Sequence, residues 1–379
     1  MRIVAIINAT SSPEKQRAII AGLRRELGEH GLTTHITAYP GHATELARQA
    51  AADHADTIVV AGGDGTIGQV VNGVIGSHAK LGLIPIGTAN DLAGHFRIPA
   101  SIHDACAVVR EGQAQAIDVI RINGRRFVTT AGFGIGSSTI AAVQRIRNHR
   151  IGRGLARIAG SRTYALGYLV AMADHGDWPC DVRVRRSGLD MKATVLSLSI
   201  SNLPRLGVGF QMTPDANASD GEFEVCLIEN NGLRGAVEAA FRARRNSLST
   251  WARVHHWRAR TLVVEAERPI VAFADGELLE PQTRFEISIV RGAITLITPE
   301  CDDRSQSRPS RLRVRGQDQD LTQPLTSRAQ PTQKCESSSA DEYMPASARQ
   351  MPTSADECQL PRHLHQYLSA TAHSKPETS

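Results

Sequence analysis

The sequence predicts an α/β domain built on a parallel sheet, then an antiparallel β-sandwich domain, then a disordered tail. Three observations carry this. Over residues 1–116 short β-branched runs alternate with helical stretches, the rhythm of a parallel α/β sheet. Over 117–301 strands dominate, and over 302–379 the chain turns rich in Ser, Gln, Pro and Thr with no sustained apolar period. At 379 residues the chain also exceeds the ~250–300 residues over which a single core usually grows, so two folded domains are expected.

The elements follow in order. Strands are expected at Arg2–Ile7, Thr33–Ala38, Thr57–Ala61 and Leu81–Ile86. Between the first two, Ile19, Ile20, Leu23 and Leu27 recur at helical spacing after Ser12-Pro13, an N-cap followed by proline at the first helical position. Shorter helices are expected at Thr44–Asp53, Thr66–Ile75 and Ile102–Glu111. Near Gln115 the rhythm changes: Ile117–Ile122, Asn123-Gly124 and Arg126–Thr130 read as a hairpin around a type I′ turn. A helical stretch over Ser137–Asp174 follows. Further strands are expected at Asp181–Arg186, Ala193–Ser201, Glu222–Ile228, Arg258–Ala266, Ile270–Ala274, Arg284–Val290 and Ile294–Ile297, with one more helix over Gly232–Asn246. The tail, Asp302–Ser379, offers too little apolar area to offset the entropy of ordering it.

Composition narrows the function classes. With 41% apolar, 21% charged and 4% aromatic residues and a formal net charge of +5, the chain reads as a soluble globular enzyme, not a collagen or a coiled coil. Its longest nearly apolar stretch, Tyr164–Ala173, is about half of the ~20 residues a transmembrane helix needs. The first residues are too short for a signal-peptide core, so a cytoplasmic location is expected. Six scattered cysteines with no C-x-x-C pair indicate neither a zinc site nor a disulfide framework. None of the five lysines follows a glycine, which excludes a Walker A motif. The basic residues are not interleaved with aromatic platforms, which argues against nucleic acid as a partner.

The densest chemical signal is Gly62-Gly63-Asp64-Gly65-Thr66, a glycine loop between a buried-strand pattern and a helix start. Glycines let backbone approach a polyphosphate, and a helix N-terminus supplies N–H groups and a favourable dipole. Asp64 is acidic where an anion should bind, which makes sense if it acts through Mg²⁺ bridging the phosphates. The alternative is a tight turn with a capping aspartate. A second loop, Gly87-Thr88-Ala89-Asn90-Asp91, also ends a strand and opens a helix. The carboxyl ends of neighbouring parallel strands share one edge, so the two loops can face a common ligand.

Together with Ile84-Pro85-Ile86 before the second loop, Gly132-Phe133-Gly134-Ile135-Gly136, Ser201-Asn202 with Gly207 and Gly209, Pro214–Val225 around Asp220-Gly221, and Asp275-Gly276-Glu277, these motifs occur in the order of a known family. The chain resembles the diacylglycerol kinase and sphingosine kinase superfamily over residues 1–300, and within it the bacterial lipid kinases. The resemblance implies a nucleotide-binding domain like those of phosphofructokinases and NAD kinases, a β-sandwich domain, and a cleft between them where ATP and a lipid meet. It implies that ATP is held by Gly62, Gly63, Asp64, Gly65, Thr66, Ile67 and Gly68, by Gly87, Thr88, Asn90 and Asp91, and by Thr37. It makes Glu277 the proton acceptor for the lipid hydroxyl, beside Asp64. It places a structural Mg²⁺ on the Asp220 carboxylate and on backbone carbonyls at Asn217 and Glu222. The family's usual Asn-Pro-x-Ser-Gly segment is here Asn8-Ala9-Thr10-Ser11-Ser12, which leaves Asn8 as a nucleotide contact and weakens Ser11 and Ser12.

The implied reaction is Mg²⁺-dependent transfer of the ATP γ-phosphoryl group to a lipid hydroxyl, on diacylglycerol, ceramide, a sphingoid base or phosphatidylglycerol. NAD kinase shares the glycine loop but carries an Asn-Glu pair, a dipeptide absent here. A non-catalytic nucleotide-binding regulator would be expected to lack Asp64 or Glu277, and both are present. Two basic clusters, Arg145–Arg162 and Arg242–Arg260, the second around Trp251 and Trp257, suit peripheral binding to an anionic membrane surface; solvated arginine faces are the alternative. The oligomeric state stays open, a homodimer included.

Overall fold

A run such as Ile3-Val4-Ala5-Ile6-Ile7 has no polar alternation, so it is stable only where both faces of its strand are covered. In the computed structural model, which describes residues 1–9, 12–28, 30–149, 162–174, 178–206 and 210–300, this run is β1 (Ile3–Ile7) and all five residues are buried. It lies between β2 (Leu32–Ile36) and β3 (Thr57–Gly62), and β4 (Lys80–Pro85) follows β3, all parallel. The helices are α1 (Pro13–Leu27), α2 (His42–Ala52), α3 (Asp64–Val74), α4 (Asp91–His95) and α5 (Ile102–Glu111). Ser12 caps α1 by accepting the Lys15 N–H, with Pro13 opening the helix as expected. α2 and α3 begin two residues before the expected Thr44 and Thr66. They pack so closely that a Cβ at Gly73 would stand 2.6 Å from Ala47 Cβ.

β5 (Gln113–Ile122) runs through the expected boundary at 116/117 and turns at Asn123 (φ +45°) and Gly124 (φ +87°) into β6 (Arg125–Phe127), as a type I′ hairpin requires. Then come β7 (Thr130–Gly134), α6 (Ile135–Asn148), α7 (Arg162–Asp174), β8 (Cys180–Arg186), β9 (Leu189–Ser201), β10 (Arg205–Leu206), β11 (Phe210–Gln211), β12 (Phe223–Glu229) and α8 (Gly232–Arg244). A 3₁₀ turn, Leu248–Thr250, leads to β13 (Val254–Ala259), β14 (Thr261–Ile270), β15 (Phe273–Ala274), β16 (Glu277–Leu278) and β17 (Gln282–Thr298).

Three expectations are corrected here. The single strand expected over Arg258–Ala266 is two: β13 pairs with β12, whereas β14 pairs with β8 and β17, so the chain changes partners around Arg260. At the crossing the alternation slips by one residue, Arg260 and Thr261 both being exposed between buried Ala259 and Leu262. The strands expected at Arg284–Val290 and Ile294–Ile297 are one strand, β17, whose register shifts between Val290 and Ile294 with Gly292 at φ +53°. Of Ile270–Ala274, only Ile270 and Phe273–Ala274 are in strands. The helical stretch 137–174 is α6 and α7 with residues 150–161 outside the described set, as are Ser11, Gly207, Gly209, Arg150, Arg153, Arg157 and the segment 302–379.

β17 joins the two halves. It pairs antiparallel with β14 and β5 and, through Thr295 and Leu296, parallel with β4. One sheet path therefore passes from the sandwich strands through β17 to β4, β3, β1 and β2. Phe223, Val225 and Leu227 of β12 face the sandwich core, while Cys226 and Ile228 face a layer holding Ala236, Ala239 and Trp251. Trp251 is buried and Trp257 packs on the sandwich core, so neither tryptophan is a surface anchor. Nor is the second basic cluster one patch: Arg242 pairs with Glu238, Arg253 with Glu229, and Arg258 and Arg260 with an acidic loop. Among the described residues no helix is long and apolar enough to cross a membrane.

Candidate active site

β3 and β4 are adjacent and parallel, so the loops leaving their carboxyl ends emerge side by side. Ile86 N–H donates to Gly62 C=O at 3.1 Å, pinning one loop on the other. The approach is so close that a Cβ on Gly63 would stand 3.0 Å from Gly87 Cα, and a Cβ on Gly87 would collide with Gly63 Cα. Asn90 holds the second loop in shape from a left-handed backbone (φ +53°): its Oδ1 accepts from Gly87 N–H at 2.9 Å and its Nδ2 donates to Gly87 C=O at 3.1 Å. Asp64 sits between the loops, its Oδ1 accepting from Leu92 N–H at 3.4 Å. Burial pushes its carboxyl above the usual range, against the hydrogen bonds from the Asn90–Leu92 backbone.

The remaining sequence-predicted residues divide by role. Gly65 extends the loop at the start of α3, and Thr88 is exposed on the rim of the second loop. Thr66 is buried, its Oγ1 accepting from Asn8 Nδ2 at 2.6 Å; Thr37 Oγ1 accepts from Ala9 N–H at 3.0 Å. Asn8, Thr37 and Thr66 thus tie the ends of β1, β2 and β3 together. The Ile67 side chain belongs to the core, and its N–H donates to Gly63 C=O at 3.0 Å. Gly68 faces another group, since a Cβ there would stand 3.1 Å from Asp275 Oδ2.

Asp275 is the residue that motif reading passed over. It opens the turn between β15 and β16, with φ +48°, followed by Gly276 at φ +79°. Its Oδ1 accepts from Thr129 N–H at 2.8 Å and Thr129 Oγ1 at 2.6 Å, and its Oδ2 from Val128 N–H at 3.0 Å. Desolvation drives its carboxyl upward and the Asp64 charge adds to that, outweighing those hydrogen bonds. A part-buried aspartate in a turn, held by Thr129 in the bend before β7, leaves no periodic signal. Glu277, two residues on, is ion-paired with Arg125 and is not part of the pocket wall.

That wall encloses about 1120 Å³, the open mouth included. It is lined by Asp64, Asp91, Thr129 and Asp275 together with the apolar Ile135, Ile140, Leu196, Ile228 and Phe273. Two desolvated carboxylates that repel each other suit a divalent cation carried with substrate phosphates, since Mg²⁺ commonly takes one or two carboxylates and fills its shell with phosphate and water. Among the described residues no three acidic, histidine or cysteine side chains converge enough to hold an ion unaided.

The loop before β12 reads differently. Asn217 Oδ1 accepts from Ser219 N–H at 3.0 Å, and Asp220 Oδ1 from Glu222 N–H at 3.0 Å. Arg258 pairs with Asp220 and lies 3.4 Å from both Glu222 and Glu224; Arg260 lies 3.3 Å from Glu222. Arg291 Nη2 donates to Asp220 C=O at 3.0 Å. Of the donors expected to hold a structural Mg²⁺, the Asp220 carboxylate and the Asn217 and Glu222 carbonyls, the carboxylate is already paired with Arg258. Burial pushes the Glu224 carboxyl up to about 7, with Arg258 opposing it.

Comparison with known proteins agrees with this geometry. Residues 2–122 match the family model described as diacylglycerol kinase catalytic domain, and residues 137–298 the one described as YegS C-terminal NAD kinase beta sandwich-like domain. A diacylglycerol kinase of Bacillus subtilis is 27% identical over 278 residues, spanning 72% of this chain and 88% of its own. A protein of Yersinia enterocolitica named "Probable lipid kinase YegS-like" is 28% identical over 289 residues, spanning 73% and 92%. The crystal structure of a diacylglycerol kinase from Bacillus anthracis superimposes with a TM-score of 0.60 at 19% identity, over 78% of this chain and 96% of that one, which supports the fold.

Two predictions follow from the loops. Gly87→Ala should force the glycine loops apart and weaken nucleotide triphosphate binding by about tenfold or more, roughly 1.4 kcal/mol, measured by fluorescence titration. Gly94→Ala, where a Cβ meets nothing within 4 Å, should leave binding unchanged. For the acidic loop, chelator should not lower the melting temperature, whereas Arg258→Gln should lower it by about 3–8 °C by leaving Glu224 unpaired. Because the folded-state pKa of Glu224 is raised, its contribution is present at acid pH and lost as pH rises from about 4.5 to about 7. Thermal melts at pH 5 and pH 8 should show a smaller loss for Glu224→Gln than for the unaltered protein.

Proposed function

The chain belongs to the diacylglycerol kinase family and is a lipid kinase, and from that premise we propose that it transfers the γ-phosphoryl group of ATP, with Mg²⁺, to the hydroxyl of diacylglycerol or a related lipid. The reading adds that it works peripherally at the cytoplasmic face of a membrane. The observation that carries the proposal is one pocket lined both by Asp64 and Asp275, beside the touching glycine loops, and by apolar side chains such as Ile135, Ile140 and Phe273. A nucleotide's phosphates and a lipid's acyl chain have opposite demands on solvent, and this pocket meets both within one wall.

Each residue's part follows from its placement. Backbone of the Gly62–Gly65 and Gly87–Asn90 loops comes close enough for phosphate oxygens, and the start of α3 offers N–H groups its own turns cannot use. Asp64 and Asp275 would hold Mg²⁺ between them and the phosphates. The ion, when bound, offsets the negative charge that develops on the phosphoryl oxygens. Asp275 is held rigid by three hydrogen bonds, so it serves as a fixed charge. Glu277 is longer, about 40% exposed, and held only by a partly exposed ion pair with Arg125, of the kind that contributes ~1 kcal/mol or less. It can leave that partner and take the proton of the lipid hydroxyl. The apolar lining aligns that hydroxyl and keeps water, the competing acceptor, away.

A labelled-ATP transfer assay against a panel of diacylglycerol, ceramide, sphingoid base and phosphatidylglycerol in mixed micelles tests the reaction and picks the lipid. Glu277→Gln should lower turnover by about 10²–10⁴ with ATP affinity nearly intact. Asp64→Asn and Asp275→Asn should remove activity and weaken the Mg²⁺ dependence of nucleotide binding. Full turnover in Glu277→Gln would show that the proton goes elsewhere.

A further inference from the structure

An amphipathic surface helix normally turns its large apolar side chains inward. α8 does the reverse, and α7 leaves part of its apolar surface outside. α7 buries Thr163, Gly167, Ala171 and Met172, and a Cβ at Gly167 would stand 2.6 Å from Val143 of α6. Leu166, Leu169 and Val170 are 42%, 60% and 37% exposed. α8 buries Gly235, Ala236, Ala239 and Ala243, while Leu233, Val237 and Phe241, spaced by four, are 51%, 54% and 53% exposed. These six are two thirds of the nine large apolar side chains exposed among the described residues. The two helices touch, Tyr168 Oη donating to Ala236 C=O at 2.9 Å, and both line the pocket, through Tyr164 and Tyr168 and through Ala239 and Ala243.

The charges around this ridge are mostly positive. On α8 and just beyond it stand Arg234, Arg242, Arg244 and Arg245 against Glu238, which Arg242 already pairs. Arg245 stacks on the Phe241 ring at 4.0 Å, placing a cation beside the apolar row. α7 begins at Arg162 and carries a single acid, Asp174, at its far end, paired with Arg145 at 2.8 Å. Arg147 of α6 lies over the Tyr164 ring at 5.4 Å, beside the pocket. Apolar rows flanked by arginine suit an interfacial helix pair lying on anionic headgroups.

We propose that the outer faces of α7 and α8 dock on an anionic lipid bilayer and seat the pocket against the leaflet, so that the lipid enters between these helices without crossing water. The docking rests on the lipid-kinase reading for its purpose, but its physical basis is the exposed apolar rows of the helix pair. The apolar anchors are then Leu233, Val237, Phe241 and Leu166, Leu169, Val170, in the place the buried tryptophans cannot fill.

The test is co-sedimentation of the full chain with vesicles of phosphatidylcholine alone or mixed with phosphatidylglycerol, at low and high salt. The unaltered protein should bind the mixed vesicles, weakly bind the neutral ones, and lose affinity as salt rises. Val237→Glu/Phe241→Glu and Leu166→Glu/Leu169→Glu should each lose tenfold or more of vesicle binding, with unchanged melting temperature and with turnover on a monomerically dissolved short-chain lipid within twofold. Vesicle binding equal to that of the unaltered protein in both double variants would overturn the proposal. So would sedimentation velocity showing that Val237→Glu/Phe241→Glu only splits a dimer while vesicle binding persists. Absence of phosphoryl transfer to any lipid, with ridge-dependent vesicle binding intact, would count against the kinase reading and still support the docking face.

Discussion

The backbone contact between Gly63 and Gly87 is the constraint on which the site depends. Two neighbouring parallel strands end at the same edge, but their loops become one concave surface only if nothing larger than hydrogen stands between them. That contact places Asp64 against the amides of the second loop and leaves the start of α3 facing outward. The bracing side chains serve the same end: Asn90 ties the second loop to itself, and Asn8, Thr37 and Thr66 tie the ends of the three strands behind it. Several residues that look like ligands in the sequence are therefore the frame of the cradle.

The second half of the chain supplies what the cradle lacks. Because β17 pairs with β4 on one side and with sandwich strands on the other, the β15–β16 turn arrives opposite α3. Asp275 then stands against Gly68, and the two carboxylates, one from each half, raise each other's cost of ionisation. A site of this kind is under electrostatic tension, which a bound cation would relieve. The acidic loop near Asp220 has resolved the same problem internally, with Arg258, Arg260 and Arg291.

α7 and α8 face two ways. Their small inner residues let them lie close to α6 and β12, and the large residues left outside give the molecule an apolar edge beside its pocket.

Local spacing determined much of this protein. The Ser12-Pro13 helix start, the Asn123-Gly124 turn and the glycine loops are short-range signals, and a cap, a left-handed turn and a close backbone approach each demand particular residues at adjacent positions. The unbroken apolar run Val225–Ile228 of β12 likewise fits a strand with two covered faces. Tertiary structure alone decided three things. It split the strand pattern around Arg260 and fused the two strands of β17, because register depends on partners distant in the chain. It buried Trp251 and turned leucine, valine and phenylalanine outward on α7 and α8, because the neighbouring elements are met mostly by small residues, Gly167 and Ala171 on α7 and Gly235, Ala236, Ala239 and Ala243 on α8. And it brought Asp275 to Asp64, 211 residues earlier in the sequence, since a pairing of charges across two halves of a fold is written in no local period.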